Sequence, residues 1–185
     1  MQQNAAMSYI IALGMLIGVA GWLISVYQHL HHLRTQACRA WLRWVRVTRR
    51  RNEQINSFVN VFSGFLPKSD QLPRDLLRLA EDSERHLNHL SHQRPPGINT
   101  SFPTVEPTLR RMIDASLRTL EQNERMRNND QLIELCGQLC LTLRDQEQKA
   151  GTYNNSATSY NDALQEPSAR FVAPIFGLDC LRILR

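Results

Sequence analysis

The sequence predicts an all-α protein in which an N-terminal transmembrane helix continues into an antiparallel four-helix bundle of long helices. Three observations carry that expectation. Residues 1–33 hold no Lys, Arg, Asp or Glu, and the run Met7–Tyr27 within them is almost wholly apolar. Residues 34–51 then hold seven arginines and no acid, the first carboxylate being Glu53. Beyond them, apolar residues recur at helical steps of three and four up to Pro167, with no alternating strand pattern.

The first element joins membrane to domain. An apolar helix of about 20 residues spans the hydrocarbon of a bilayer, and a one-sided Lys/Arg flank stays cytoplasmic. A cleaved signal peptide fits less well. The first six residues carry no basic side chain, the apolar run is long, and arginines follow it where a small-residue cleavage site would stand. Gly14 and Gly18 have the spacing that lets two membrane helices approach closely. Downstream, Leu30, Leu33, Ala37, Trp41, Trp44, Ile55, Phe58, Phe62 and Phe65 form one stripe, and no proline occurs before Pro67. The expectation is one rod from Met7 to Leu66, roughly 90 Å long at 1.5 Å per residue, closed by Gly64 and Pro67.

The second helix is expected from Pro73, tolerated in a first turn, to Ser91, with Leu76, Leu77, Ala80, Leu87 and Leu90 inward. Residues 92–107 hold Pro95, Pro96, Gly97, Pro103 and Pro107 and read as a loop. A third helix is expected from Pro107 to Met126, with Asn128-Asn129-Asp130 as the turn after it. The fourth carries the clearest periodicity. Leu132, Cys136, Leu139, Leu143, Gln146, Ala150, Tyr153, Ala157, Tyr160 and Leu164 make a heptad seam with one strongly polar member, Gln146. Pro167 ends it. The division expected is a short extracytoplasmic N-terminus at 1–6, the membrane helix at 7–27, the cytoplasmic bundle at 28–170, and an apolar tail at 171–185. In an up-down bundle that tail returns to the bilayer, where it either covers the open end of the bundle or lies in the interface.

Charge distribution narrows the partners. The net charge of +5 is local: without the seven arginines, residues 52–185 carry 15 basic and 17 acidic side chains, a net of −2. A nucleic-acid surface would spread its cations over a folded face, so no nucleic acid is expected. Arg34, Arg39 and Arg43 are assigned to lipid headgroups, each such cation contributing about 1 kcal/mol near an anionic surface. The four cysteines (Cys38, Cys136, Cys140, Cys180) read as reduced thiols in a cytoplasmic domain.

Beyond the anchor come Tyr27, Leu33-Arg34, Ala40-Trp41, Arg50-Arg51, Ile55, Val59 and Gly64-Phe65. Far downstream stand Gln138-Leu139, Thr142, the doublet Tyr153-Asn154 and Tyr160-Asn161, then Ala173 and Phe176-Gly177. In order and spacing this resembles the LemA family, bacterial proteins with an N-terminal anchor and a cytoplasmic helical domain. The match covers about 27–65 and 132–178. Trp41, Arg50, Arg51, Gly64, Thr142, Tyr153, Asn154, Tyr160, Asn161 and Gly177 are its motif residues here. The chain departs from the pattern at Leu42–Val45, which lack the family's acidic residues, at Asn56 in place of a proline, and at Pro167-Ser168 in place of a Phe-Pro pair. The resemblance implies a divergent member without catalytic activity.

Candidate chemistry is sparse. His86, His89 and His92 fan around one helix, the outer two about 120° apart, so three ligands to one metal ion would strain the geometry. His86 with His89 could bind a metal weakly, but a site needs further ligands, and solvated histidines are the favoured reading. His29, His31 and His32 fall at headgroup level. No phosphate loop, His-Glu-x-x-His or nucleophile elbow occurs. No catalytic residue, cofactor or metal is assigned. The tyrosines of the doublet fall on the seam, and Asn154 and Asn161 beside it are expected to fix register against Arg50, Arg51 or Trp41 on the first helix. The function expected is a non-catalytic interaction or scaffold module at the bacterial inner membrane, single-pass with its N-terminus out. Membrane lipid and an unidentified protein are its expected partners, self-association making it a possible homo-oligomer. The alternative is a signalling or assembly subunit of a larger membrane complex.

Overall fold

The computed structural model describes residues 2–91, 95, 97 and 105–184, without the side chains of 2–11 and 89–91. The chain is all-α, and among the described residues the one β-bridge joins Gly97 to Leu181. Helix α1 runs unbroken from Gln2 to Phe62, 61 residues, and ends in a 3₁₀ turn at Ser63–Phe65. That rod is about 90 Å long. Its absence of proline and its continuous three-four stripe are what let one helix cross from an apolar to a polar setting. Positions 12–22 are exposed, Leu13, Met15, Leu16, Ile17, Val19 and Trp22 among them. Helix α1 is long and, toward its N-terminus, apolar enough to cross a membrane.

Helix α2 (Leu72–Ser91) starts where Asp70 Oδ1 accepts from Leu72 N at 2.9 Å. Helix α3 (Val105–Gln122) stops four residues short of the expected Met126. The break is chemical. Asn123 caps a separate turn, α4 (Glu124–Arg127), its side chain accepting from Arg125 N and Met126 N. Met126 is still fully buried, so the break redirects the chain without losing the apolar contact. Asn129 then caps α5 (Asp130–Gln165), accepting from Leu132 N at 2.8 Å.

Pro167 does end α5, but a short helix follows, where only an apolar tail was expected. Helix α6 (Pro167–Ile175) takes Pro167 at its first position and buries Ala169, Val172 and Ala173. It closes on Gly177 at φ 59°, the left-handed conformation. Leu178 N reaches back to Ala173 O at 2.9 Å and Gly177 N to Pro174 O at 3.4 Å, the two bonds of a Schellman cap.

The core has two parts. The part nearer the exposed apolar end of α1 joins Leu30, Ala37, Ala40, Trp41, Trp44 and Val45 of α1 to Tyr153, Ala157, Tyr160 and Leu164 of α5, with Ala169 and Ala173 of α6 and Leu178 and Leu181 of the tail. The distal part joins Ile55, Phe58, Val59 and Phe62 to Leu76, Ala80, Leu109, Ile113, Met126, Leu132 and Leu139, so it draws on α1 to α5. As numbers rise along α1, partners fall along α5: Trp41 packs against Tyr153 in a tilted arrangement at 5.3 Å, and Thr48 bonds Gln146. The same holds against α2, where Arg49 bonds Asn88 and Asn52 bonds Ser83.

Candidate functional site

Between the two apolar cores lies a polar layer assembled from four helices. Arg51, 2% exposed, is its centre. A buried guanidinium needs every donor satisfied and a compensating anion, and both conditions are met. Nη2 donates to Glu106 Oε1 at 3.0 Å, and Nη1 bonds the other carboxylate oxygen, a bidentate pair. Nη1 also donates to Gln146 Oε1 at 3.1 Å, Nη2 to Ser83 Oγ at 3.1 Å, and Nε to Asn52 Oδ1 at 3.2 Å. Ser83 Oγ donates in turn to Glu106 Oε1 at 2.8 Å. Gln146 Nε2 donates to Thr48 Oγ1 at 3.1 Å and to Glu106 Oε2 at 3.3 Å. Burial raises the proton affinity of Glu106, but the Arg51 bonds and charge, with Ser83 and Gln146, outweigh it. The carboxyl is held below its ordinary value.

This layer revises the reading of the arginine run. The seven do not act as one membrane-facing block. Arg51 is internal, and Arg49 turns to Glu84 at 3.3 Å and Asn88 at 2.7 Å. Arg50 is exposed, so the Arg50-Arg51 doublet points one residue out and one in. A signal for the layer was present. Thr48 and Arg51 continue the steps Trp41, Trp44, Ile55, Phe58, and Ser83 falls between Ala80 and Leu87. Polar residues on the seam positions of three helices, Gln146 included, mark a shared polar level.

The Tyr-Asn doublet has a different partner from the one expected. Among the hydrogen bonds described, Asn154 and Asn161 do not reach the first helix; both hold the backbone of the C-terminal tail. Asn161 Oδ1 accepts from Leu181 N at 2.7 Å while its Nδ2 donates to Leu181 O at 2.8 Å. Asn154 repeats this with Leu184, at 2.8 and 2.9 Å. Each carboxamide thus pairs with a peptide as a neighbouring strand would. Seven helical residues advance about 10.5 Å and three extended residues about 10 Å, so a heptad on α5 matches a three-residue step on the tail. Tyr153 Oη donates to Arg182 O at 2.6 Å, between the two. Both tyrosines are fully buried, and burial pushes their phenols above the usual range.

The other motif residues scatter. Trp41 is buried against Trp44 at 5.0 Å and Tyr153. Thr142 is buried on α5, and Gly177 forms the α6 cap. Gly64 is exposed, and a Cβ there would meet nothing within 4 Å. Arg34 is half-buried, and Arg39 and Arg43 are exposed. Arg39 ends a shallow strip of α1 that starts at Tyr27 and includes His31, His32 and Thr35. His86 is exposed, its Nδ1 2.7 Å from Asp82 O; the His89 side chain and His92 lie outside the described residues. Among the described residues no group of three His, Cys, Asp or Glu could hold a metal ion. Cys136 and Cys140 are half-buried, Cys136 against the distal core, and none of the four cysteines is in a disulfide. No family model, curated protein or solved structure matches the chain.

Proposed function

We propose that this chain is a divergent LemA-family protein of the bacterial inner membrane, single-pass with its N-terminus out. Its cytoplasmic antiparallel four-helix bundle acts as a non-catalytic scaffold that presents protein-binding faces at a set distance from the lipid. The observation that carries the reading is the continuity of α1. One helix is uncovered and apolar over 12–22 and becomes the central strut of a domain core from Leu30 onward. An unbroken helix transmits position and orientation, where a flexible linker would not. The polar layer supports a structural role, since the donors of Arg51 are engaged by its neighbours.

Headgroup contact is assigned mainly to Arg34. At 1.5 Å per residue it stands about 10 Å beyond Tyr27, against about 18 Å for Arg39 and 24 Å for Arg43. On an upright helix the latter two act through their field, over a Debye length of about 8 Å.

The test is in-cell photo-crosslinking from the exposed bundle positions Arg118, Glu134 and Arg144. Reproducible adducts to one or two proteins support the scaffold. Adducts only to lipid or to a second copy overturn a dedicated partner on these faces. The split core favours a second reading, a signalling or assembly subunit whose two apolar halves shift across the polar layer. That reading requires partner binding to change when α1 is cut between anchor and bundle while the bundle stays folded.

A further inference from the structure

We infer that α6 is a second membrane contact: it lies across the bundle end in the plane of the bilayer surface and sets Phe171 and Ile175 into the headgroup–acyl boundary. The inference rests on the anchored reading of α1. It starts from the levels of the helices. Thr48 pairs with Gln146 and Trp41 with Tyr153, so each α5 residue sits beside the α1 residue whose number sums with its own to 194. Continued to Gln165, the last residue of α5, that register reaches position 29 of α1.

Helix α6 therefore starts near the level of residue 29. It ends there too, because the Phe176 ring lies 4.3 Å from the ring of Tyr27. A nine-residue helix is about 13.5 Å long. Standing upright beside α1 it would cover positions near 20, yet 12–22 are exposed. Both ends at one level mean that α6 lies crosswise. The tail after Gly177 then runs back down, Leu181 at Asn161 and Leu184 at Asn154.

A crosswise helix over the end of a bundle has one face toward the bundle and one toward the membrane. The bundle face is Ala169, Val172 and Ala173, all buried. The opposite face holds Phe171, 72% exposed, and Ile175, 69% exposed, one helical turn apart. Large apolar side chains on the outer face of a short helix want an apolar neighbour, and Tyr27 marks where the apolar run of α1 ends. The occupant next to that end of α1 is the same bilayer. Amphipathic helices in this position bury their apolar face about 5–10 Å into the boundary, and the exposed Arg170 stands beside the face to meet anionic headgroups. The tail thus divides the two roles expected of it: residues 178–184 close the bundle, and α6 meets the lipid.

The full chain is reconstituted in vesicles of phosphatidylethanolamine with a minority of phosphatidylglycerol, carrying a benzoylphenylalanine at one position. Phe171 is the test site, where this aromatic is a mild change, Leu16 the membrane control and Glu134 the aqueous control. Mass spectrometry after illumination reads the adducts. Lipid adducts at 171 and 16, and not at 134, are expected, with Ile175 reproducing the result. Adducts at 16 without any at 171 or 175 overturn the α6 contact and leave the anchor standing. Adducts from 171 to a second copy also overturn it, since protein then covers the face. Failure at Leu16 overturns the anchored reading itself.

Discussion

Arg51 and Glu106 stand 55 residues apart in the chain and meet as a bidentate pair between two apolar cores. The desolvation cost of such a pair is recovered only while both partners are present. Glu106→Ala leaves a buried guanidinium with its anion gone and is expected to cost about 3 kcal/mol. Arg51→Met with Glu106→Leu removes both charges and is expected to recover most of that loss. Thermal unfolding of the full chain in detergent micelles checks the pair. A double variant as unstable as Glu106→Ala would show that the layer acts through the packing of its neighbours.

The same pair sets a pH dependence. The folded carboxyl of Glu106 is held below its ordinary 4.5. Its contribution to stability is therefore fully present above about 4.5 and is lost as pH falls through the lower folded value. Glu106→Gln cannot ionise and lacks this component. The stability gap between wild type and Glu106→Gln is expected to be widest at neutral pH and to narrow below about 4.5. Denaturant midpoints measured from pH 7 to pH 3 test this, and a gap that stays constant would remove Glu106 from the acid response.

Periodicity made the helices legible because packing one face is the strongest constraint on them. Of the ten seam positions read from Leu132 to Leu164, only Cys136 and Ala150 fall short of full burial. The polar layer showed in the sequence only as Thr48, Arg51 and Ser83 at stripe positions, and Arg51 sits in a run of arginines that by composition alone reads as one membrane flank. Burial distinguishes it, and burial depends on Glu106, on the far side of a proline-rich stretch of sequence. The asparagines were assigned to the right seam edge and the wrong partner. A side-chain amide binding peptide groups leaves no trace in the side chains of the tail, so Leu181 and Leu184 carry no sequence mark of it. Helix α6 was missed because Pro167 reads equally as a stop and as a first helical residue.

Cys136 provides a test of the distal core in solution. Burial, the adjacent Cys140 and the charge of Glu121 push its thiol from an ordinary 9.0 up to about 11. The thiolate is the reactive form, so at pH 8 it should alkylate about a hundredfold more slowly than in the unfolded chain. Peptide mapping after brief iodoacetamide treatment, folded against denatured, reads this directly. Equal rates would place Cys136 in open solvent and contradict its contact with the distal core.

Gly177 is the one described residue with a positive φ, at 59°. A Cβ there meets nothing within 4 Å, so the cost of Gly177→Ala is conformational and should be about 1 kcal/mol. Gly177→Asn, which tolerates the left-handed region, should lose less. The order Gly, Asn, Ala in melting temperature is the expected result. Equal values for all three would mean that the cap after α6 contributes nothing to the stability of the fold.

The tail clamp predicts a local effect larger than its global one. Asn154→Ala and Asn161→Ala each remove a donor and an acceptor from a half-buried peptide. Each hydrogen bond contributes about 1 kcal/mol net, and the amides of Leu181 and Leu184 donate to these side chains. Hydrogen exchange at Leu181 should therefore accelerate in Asn161→Ala and at Leu184 in Asn154→Ala. The Leu139 and Leu143 amides, in the distal core, should keep their protection. Tyr153→Phe removes only the 2.6 Å bond to Arg182 O and should speed exchange at both tail amides modestly, because the ring keeps its contact with Trp41. Uniform acceleration across α5 in any of these variants would mean that the doublet holds the whole helix pair together, and that the tail is secondary to it.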